Sequence, residues 1–380
     1  MKLILSIETI RYPLTGIGRY TYELAKYMRG TTRSEDVLFF TGAGFTQDLP
    51  VVAESVGSGY RLKRFVQSSR LLTWTYQVFR DYSQRQLLRD YRDCIFHGPN
   101  FQVPNFGGRK IATFHDLSPF TWAHCHAPER ARFMRSECLK TIARADALIA
   151  VSECTRQAIA EYFSFPLERI HAVPLASAAE FHPRQDAELS ALEGYGLKPR
   201  TYTLFVGTIE PRKNLTVLLQ AYSRLPVAQR TRTPLVLSGH PGWNSDAIHQ
   251  QIKQGEREGW VRYLGFMPAQ DLPVLYAGAL LFAFPSSYEG FGLPPLEAMA
   301  SGVPVICSNS SSLPEVVGDA ALTHDPEDVE GLTALLGRGL LDDAWRRQAI
   351  QAGLARAALF SWDRCGEQTL AVYRRVAERS

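Results

Sequence analysis

Long apolar runs, paired cysteines and a strong excess of one charge are all lacking in this sequence. The longest apolar runs, such as residues 279–285, fall far short of the roughly 20 residues that a bilayer-spanning helix needs. The N-terminus leads directly into a strand-like run instead of a signal sequence, which predicts a cytoplasmic protein without a membrane anchor. The six cysteines have no paired spacing, so we expect reduced packing residues and neither a disulfide framework nor a zinc site. These are Cys94, Cys125, Cys138, Cys154, Cys307 and Cys365.

The composition is that of a packed globular protein. The chain has 380 residues, 45% of them apolar and 21% charged, which excludes disorder and allows two domains of ordinary size. A net charge of +4 is too small to indicate a nucleic-acid partner.

Short runs rich in Val, Ile and Leu alternate with helix-like segments along the chain. Because these runs are apolar on both faces, they predict an α/β class with parallel sheets covered on both sides. The first predicted helix carries Ile17, Tyr20 and Leu24 at helical spacing, with Gly30 at the expected C-terminal cap. The predicted strands are 3–7, 37–40, 110–113, 147–151, 202–206, 235–237, 261–264, 280–284 and 303–306.

A polar stretch at 181–200 interrupts the alternation, and we place the domain boundary there. The predicted domains are residues 1–185 and 186–360, each doubly wound. Such domains bind ligands outside the carboxyl ends of their strands, so two facing halves would share a cleft. Residues 361–380 predict an amphipathic helix that could lie on either half.

Two loops carry features suited to binding phosphate. Gly16, Ile17 and Gly18 open the first helix, where backbone N–H groups and the helix N-terminus favour an anion, although a tight turn without a ligand explains them equally well. The third glycine of the dinucleotide fingerprint is missing, since Thr21 stands in its place.

The second loop, in LFVGTIEPRKNLTVLLQAY, gives a stronger signal. A strand ends at Gly207, Arg212 and Lys213 follow, and Asn214 is placed to cap the next helix. Two adjacent cations at the carboxyl end of a strand can bind a diphosphate. The alternative is a solvated turn.

The stretch PSSYEGFGLPPLEAMASGVPVICS holds two glutamates with seven residues between them. Glu289 lies in the loop after a predicted strand, and Glu297 lies in the helix predicted to begin near Pro294 or Pro295. The two carboxylates could accept hydrogen bonds from a sugar and from a ribose. A helix cap and a surface carboxylate remain the alternative.

This stretch resembles the signature of retaining glycosyltransferases of family 4. The segments VGTIEPRKN, VRYLGFMPAQDLPVLYAGA, FHDLSPF and TGIGRYTYELAKYM are similar to other blocks of that family. The resemblance spans nearly the whole chain and is weakest between about residues 42 and 92. It implies a GT-B fold, in which the N-terminal domain binds the acceptor, the C-terminal domain binds the donor nucleotide, and the final helix returns to the N-terminal domain.

The resemblance also implies roles for individual residues. Glu289 would contact the donor sugar, and His115 would lie beside it as a proton relay, a hydroxyl contact or half of a structural pair with Asp116. Many family members have an arginine where this chain has Thr208, and Arg212 could take over part of its work. The residues implied to bind the donor are Gly16, Ile17, Gly18, Gly207, Arg212, Lys213, Phe266, Met267, Gly290, Phe291, Gly292, Leu293 and Glu297.

The reaction implied is transfer of a hexose with retention of configuration and without a metal or a resident cofactor. GDP-mannose is the favoured donor and UDP-glucose, UDP-N-acetylglucosamine and dTDP-rhamnose are alternatives. The acceptor would be a saccharide, lipid-linked in bacterial surface polysaccharide synthesis. The rival classes are a nucleotide-sugar epimerase, a dinucleotide oxidoreductase and a non-catalytic binding module.

Two further clusters are weaker signals. Residues 60–92 mix basic and aromatic side chains, which predicts either peripheral contact with an anionic membrane, at its inner face, or an ordinary solvated helix. His124, Cys125 and His126 are adjacent, so they cannot easily converge on one metal ion. We expect no metal site and no nucleic-acid partner.

Overall fold

The computed structural model of this chain describes residues 1–14, 16–33, 36–50 and 80–378. Two β-sheets of seven and six strands organise them. The first sheet contains β1 Leu3–Ser6, β2 Val37–Phe40, β3 Phe45–Thr46, β4 Ile95–Gly98, β5 Arg109–Phe114, β6 Ala147–Ala150 and β7 Ile170–Ala172. The second contains β8 Thr203–Val206, β9 Leu235–Ser238, β10 Val261–Tyr263, β11 Leu281–Phe284, β12 Val305–Ser308 and β13 Leu322–His324.

The strand order is that of two doubly wound sheets. It runs β3-β2-β1-β4-β5-β6-β7 in the first sheet and β10-β9-β8-β11-β12-β13 in the second. Every pair is parallel except β2 with β3, which forms an antiparallel edge. The order reverses between β1 and β4 and between β8 and β11, and the loops that leave these strands are where such folds bind ligands. The predicted α/β class is confirmed.

The α-helices lie between the strands and cover the sheets. They are α1 Gly16–Thr31, α2 Ser118–Thr121, α3 Pro128–Ile142, α4 Glu153–Phe163, α5 Leu215–Ser223, α6 Val227–Arg232, α7 Asp246–Arg257, α8 Leu272–Ala277, α9 Leu293–Ala300, α10 Leu313–Val317, α11 Val329–Leu341, α12 Asp343–Ala357 and α13 Trp362–Glu378. A ten-residue 3₁₀ segment, Asp186–Tyr195, lies within the polar stretch between the two sheets. The boundary at 185/186 stays a prediction.

The last helix, α13, returns to the first sheet. Gly366 lies against Tyr27 of α1 so closely that a Cβ there would be 2.3 Å from the tyrosine ring. The Tyr373 hydroxyl bonds to Nδ1 of His97 on β4 at 2.6 Å, and Thr113 bonds to the other ring nitrogen at 2.8 Å. Burial lowers the pKa of His97 to about 3, so the ring in this network is neutral. The implied return of the helix to the N-terminal half is confirmed.

Local differences from the predicted elements have physical causes. The strand β4 carries His97 and Gly98, which break its apolar pattern, and only the partners of His97 let it be buried. Gly30 is not a cap, because α1 continues to Thr31. The predicted strands otherwise overlap β1, β2, β5, β6 and β8 to β12, and the edge strands β3, β7 and β13 were not predicted.

No helix in the described ranges is both long and apolar enough to cross a bilayer. The six cysteines are free thiols, five of them buried, which agrees with their expected packing role.

Candidate active site

Loops at the carboxyl ends of four strands meet where the two sheets face each other. Gly16 follows β1, His115 follows β5, Lys213 follows β8 and Glu289 follows β11. Because parallel strands end at the same edge of a sheet, residues far apart in the sequence come together there. The predicted shared cleft therefore collects most of the predicted site residues.

Glu289 is buried and already has partners. Its side chain is 10% exposed. Its Oε1 accepts hydrogen bonds from Lys213 Nζ at 2.5 Å and from Ser286 Oγ at 2.6 Å, and its Oε2 accepts from Arg212 Nη1 at 3.3 Å. A carboxylate oxygen has two lone pairs, so Oε1 is saturated while Oε2 retains room for another donor.

Arg212 and Lys213 lie in a short 3₁₀ turn, Pro211–Lys213, and are not a solvated pair. Arg212 donates to Glu210 Oε1 through Nε at 3.0 Å and Nη2 at 2.8 Å. The two cations and two carboxylates, Glu210 and Glu289, thus balance in formal charge. Sequence reasoning expected cations free to meet a diphosphate, whereas the structure pairs both with acids.

The charged groups in this cluster shift one another's pKa values. Burial alone would raise the pKa of Glu289, but Lys213 and Arg212 outweigh it and hold that pKa below its ordinary value. Burial lowers the pKa of Lys213, and Glu289 offsets this only in part. Burial also acts to lower the pKa of Arg212, but Glu289 and Glu210 raise it above its ordinary value. Each of these groups stays charged because its partners of opposite charge offset the cost of burial.

Asn214 stands at the N-terminus of α5 but does not cap it. Its backbone is left-handed with φ of 55°, and its side chain makes no capping bond. The Nδ2 group instead donates to the carbonyls of Pro285 at 3.2 Å and Pro326 at 2.6 Å. The predicted cap is wrong, because this side chain joins the loop after β8 to the loops after β11 and β13.

The hydrogen-bond partner of His115 determines which of its ring nitrogens carries the hydrogen. Its Nε2 lies 2.9 Å from the Pro99 carbonyl, which can only accept, so Nε2 carries the hydrogen. Burial lowers the pKa of His115, which leaves the ring neutral with a lone pair on Nδ1. Asp116 accepts from the backbone N–H of Ser118 at 2.9 Å. His115 and Asp116 therefore have separate local partners, and the Asp116 carboxylate binds a backbone N–H at the start of α2.

The loop beyond Glu289 is pressed against the first domain. A Cβ at Gly290 would lie 1.6 Å from the His115 carbonyl oxygen, so only glycine fits. The Gly290 carbonyl accepts from Ser152 Oγ at 2.6 Å and Thr155 Oγ1 at 3.0 Å. Glu315 supports the same contact, since its carboxylate accepts two backbone N–H groups at the N-terminus of α4. The cleft is closed in this structure.

Serines shape the turn into α9. Gly292 has φ of 119°, a conformation that side chains rarely adopt, and precedes Leu293 at the helix start. Ser312 Oγ lies within hydrogen-bond distance of the carbonyls of Glu289 at 2.9 Å and Phe291 at 2.6 Å. The loop from Gly290 to Leu293 is thereby held against α10.

Glu297 lies in α9 in different surroundings from Glu289. Burial raises its pKa to about 7, while Tyr276 and Arg19 lower it and Glu180 raises it. Its charged neighbours belong to α1 and the end of the first domain, whereas Glu289 faces Lys213 and Arg212. The two glutamates therefore have separate electrostatic environments, which spacing alone could not reveal.

The remaining predicted phosphate contacts lie at the two sheet edges. A Cβ at Gly18 would lie 3.0 Å from the Thr9 carbonyl oxygen, and a Cβ at Gly16 would lie 3.8 Å from Leu293 Cδ1 across the cleft. Ile17 accepts the Thr21 hydroxyl at its carbonyl, and Thr21 also bonds to Thr9. Thr21 thus fills the position of the missing third glycine.

Gly207 lies beside the cation turn, and its Cβ would be 3.8 Å from Lys213 Cε. Phe266 is 45% exposed and stacks on His240 with ring centroids 4.0 Å apart. Met267 is buried in the core, so only its backbone could face a ligand. Thr208, at the position of the missing arginine, is exposed.

Comparison with known proteins decides the family. The family model described as Glycosyltransferase Family 4 matches residues 14–176, and that described as Glycosyl transferases group 1 matches residues 194–356. The chain is 46% identical over 379 residues to the O-antigen chain mannosyltransferase B of Escherichia coli, covering 98% of this chain and 100% of that one. This chain belongs to glycosyltransferase family 4.

Other similar proteins support the same family assignment. The serotype-specific mannosyltransferase WbdA of Escherichia coli is 31% identical over 284 residues, which are 73% of this glycosyltransferase and 34% of WbdA. The sucrose-phosphate synthase of Thermosynechococcus elongatus superposes with a TM-score of 0.72 at 20% identity, covering 100% of both chains. That likeness shows the fold, which is the predicted GT-B fold. These similarities identify a glycosyltransferase, which takes the place of the alternative interpretations as an epimerase, an oxidoreductase or a non-catalytic binding module.

Sequence reasoning missed several residues of this glycosyltransferase site. Glu210 pairs with Arg212, Ser286 bonds to Glu289, and Ser152 and Thr155 bind the Gly290 carbonyl. The acid two positions before the arginine in IEPRK was a usable signal for Glu210. Nothing local marks Ser152, because its partner lies 138 residues away.

The His124 to His126 segment forms no metal site. His126 Nε2 bonds to Ser118 Oγ at 2.9 Å, and the His124 ring lies 5.4 Å from that of Trp122. Across the described ranges, no three His, Cys, Asp or Glu side chains are grouped as metal ligands. The metal independence of the reaction stays a prediction.

Proposed function

We propose that this glycosyltransferase moves mannose from GDP-mannose to a saccharide acceptor in bacterial surface polysaccharide synthesis. The observation that carries the proposal is the 46% identity, over essentially the full length of both chains, to an O-antigen chain mannosyltransferase. The 31% identity to a second mannosyltransferase supports the same sugar. In this proposal the protein binds both the nucleotide of the donor and the saccharide acceptor.

The buried ion cluster supports a role in cleaving the sugar–phosphate bond. Departure of the nucleoside diphosphate concentrates negative charge on its phosphate oxygens, and fixed cations stabilise that charge. Lys213 and Arg212 are fixed by Glu289 and Glu210 before any ligand binds. Their side chains therefore need little rearrangement to serve a diphosphate, and the N-terminus of α1 at Gly16 faces the same cleft.

Two acceptor atoms suit the hydroxyl groups of the donor sugar. Glu289 Oε2 accepts from Arg212 at 3.3 Å and from no other side chain in the described part of the chain, and His115 Nδ1 carries a lone pair. We assign both residues to binding and orienting the sugar, with Glu289 in a hydroxyl contact and not as a covalent nucleophile. Glu297 accepts hydrogen bonds from the ribose in this arrangement.

Retention of configuration and independence of metal belong to the same proposal. Retention follows from attack on the face from which the diphosphate departs, since we assign no carboxylate to a covalent intermediate. The sequence has no Asp-x-Asp element of the kind that positions a metal beside a diphosphate.

The acceptor in this proposal is lipid-linked, and the enzyme works at the inner face of an anionic membrane. Residues 60–79 of the basic and aromatic segment lie outside the described residues. Arg85 and Arg89 lie within them and are exposed. Double charge reversal to glutamate should abolish sedimentation with anionic vesicles at low salt. Unchanged sedimentation and unchanged activity on a lipid-linked acceptor would contradict this part.

The proposed function is tested by a donor screen. The protein is titrated calorimetrically with GDP, UDP, dTDP, ADP and NAD, with and without magnesium, and then incubated with the matching sugar donors and α-mannosides. Selective GDP binding followed by mannose transfer, with the product anomer identified by NMR, is the expected result. Selective binding of UDP or dTDP would replace mannose by another hexose. Binding of NAD alone would remove the transferase proposal.

A further inference from the structure

A cavity of about 590 Å³ lies between the two domains, beside the ion cluster. The first domain contributes His124, His126, Arg132 and Arg135, and the second contributes Trp243. Trp243 is 48% exposed, which is unusual for a residue with so large an apolar side chain. None of these residues was predicted to bind the donor.

The cavity lies next to the ion cluster around Glu289. His126 on the cavity wall is close enough to the cluster for its charges to act on it: burial lowers the pKa of His126, Glu210 raises it and Arg212 lowers it. On the other side, Trp122 stacks on Tyr288, the residue before Glu289, with ring centroids 6.3 Å apart. The cavity therefore lies next to the cleft in which the donor sugar is expected to lie.

Residues of both domains form the cavity, and a hydrogen bond joins them there. Asn244 Nδ2 donates to the His124 carbonyl at 2.8 Å, which joins the loop after β9 to the segment before α3. Trp243 is adjacent to this bridge and is positioned by it. This contact places an aromatic wall opposite a basic and imidazole wall.

The chemistry of these walls suits a neutral chain of sugar rings. The face of an indole is electronegative and packs against the C–H groups of a pyranose ring, while its large area is buried with little entropy loss. Arg135 is anchored through Nε to the Pro119 carbonyl at 2.6 Å, which points to a fixed guanidinium able to bind hydroxyl oxygens. Burial lowers the pKa of His126, so it stays neutral and does not demand an anion. The volume lies within the range of small-molecule sites.

We propose that this cavity binds the acceptor saccharide beyond the sugar that receives the transferred residue. Trp243 provides the stacking surface for one ring, so an acceptor of several sugars gains affinity that a single sugar does not. The proposal rests on the proposed function, since it assigns the site to the acceptor of that reaction. It makes Trp243 a determinant of acceptor length and leaves donor binding to the residues already described.

The test measures binding apart from catalysis. Methyl α-mannoside and α-linked mannotriose are titrated into wild-type protein with GDP present, followed by calorimetry and saturation-transfer NMR. We expect mannotriose to bind more tightly than the monosaccharide, and Trp243→Ala to weaken mannotriose about tenfold, a change of about 1.4 kcal/mol. GDP affinity should be unchanged. Leu341→Ala, at an apolar residue 66% exposed at the end of α11, is the matched control.

The outcomes separate this proposal from the function on which it rests. If wild-type protein binds no mannotriose, or Trp243→Ala binds it as well as wild type does, the cavity assignment is overturned even when mannose transfer is observed. If Trp243-dependent binding is found but no donor supports transfer, the cavity stands as a saccharide site and the proposed reaction fails. Because Trp243 is half exposed, its removal should leave the melting temperature unchanged.

Discussion

The Lys213 ammonium and the Glu289 carboxylate form a buried ion pair, with Nζ and Oε1 2.5 Å apart. The two residues are 76 positions apart and leave neighbouring strands of the second sheet. Neither group is available to a donor substrate independently of the other. A substitution at one of them therefore changes the pKa of its partner.

Glu289→Gln should reduce sugar transfer about 100-fold while GDP affinity changes less than about threefold. The amide retains the size of the side chain but not the charge that we assign to orienting the donor sugar. Transfer is measured by product formation and affinity by calorimetry. An equal loss in both quantities would show that Glu289 acts mainly on the nucleotide. Asp319→Asn, a carboxylate outside the cleft, is the control.

Lys213→Ala should weaken GDP binding and turnover together. It leaves Glu289 buried with only Arg212 as a cationic partner, so we also expect the free energy of unfolding to fall by about 3–5 kcal/mol. Urea denaturation and calorimetry measure the two effects. Lys253→Ala, on the exposed side of α7, is the matched control and should change neither. Wild-type stability in Lys213→Ala would mean that the ion pair is not formed in solution.

Gly290→Ala should prevent closure of the cleft. Its Cβ would lie 1.6 Å from the His115 carbonyl oxygen, and backbone atoms on both sides must move to accommodate it. We expect about a 100-fold loss of transfer, since small displacements of reacting groups have effects of that size. Small-angle scattering should show a larger radius of gyration. Gly194→Ala has no atom within 4 Å of the new Cβ and should behave as wild type.

Glu297 should make nucleotide affinity depend on pH near neutrality. Burial raises its pKa to about 7 from the ordinary value of about 4.5, so between these two values the folded protein retains a proton that the unfolded chain has lost. Its contribution to stability is therefore lost as pH rises from about 4.5 through about 7. The ionised carboxylate accepts stronger hydrogen bonds from ribose, so GDP affinity should rise as the pH passes through about 7, where Glu297 of the folded protein ionises. Glu297→Gln should flatten the affinity profile, and an unchanged slope in that variant would count against the assignment.

The strands and the order of the loops follow closely from the sequence. Apolar runs such as those of β1 and β11 are buried on both faces, so composition alone identifies them. The strand β4 was missed because a buried histidine looks polar until its partners, Tyr373 and Thr113, are known. The final helix was predicted from its spacing, whereas the surface on which it packs required the fold.

The site was only partly predictable for the same reason. The sequence identified Arg212, Lys213 and Glu289 as chemically suitable, and the strand ends placed them at one sheet edge. It did not show that they pair with one another, because pairing depends on side-chain directions in loops 76 residues apart. It also gave no sign of the role that Trp243 takes in the cavity.

The sequence by itself determined the α/β class, the glutamates and cations of the site and the family resemblance, because periodicity and short motifs are local properties. Tertiary structure alone decided which charges neutralise one another, which tautomer His115 adopts and where the two domains touch. Those features depend on distances between segments remote in the chain, on the burial that raises the pKa of Glu297, and on the cations Lys213 and Arg212, which outweigh burial and lower the pKa of Glu289.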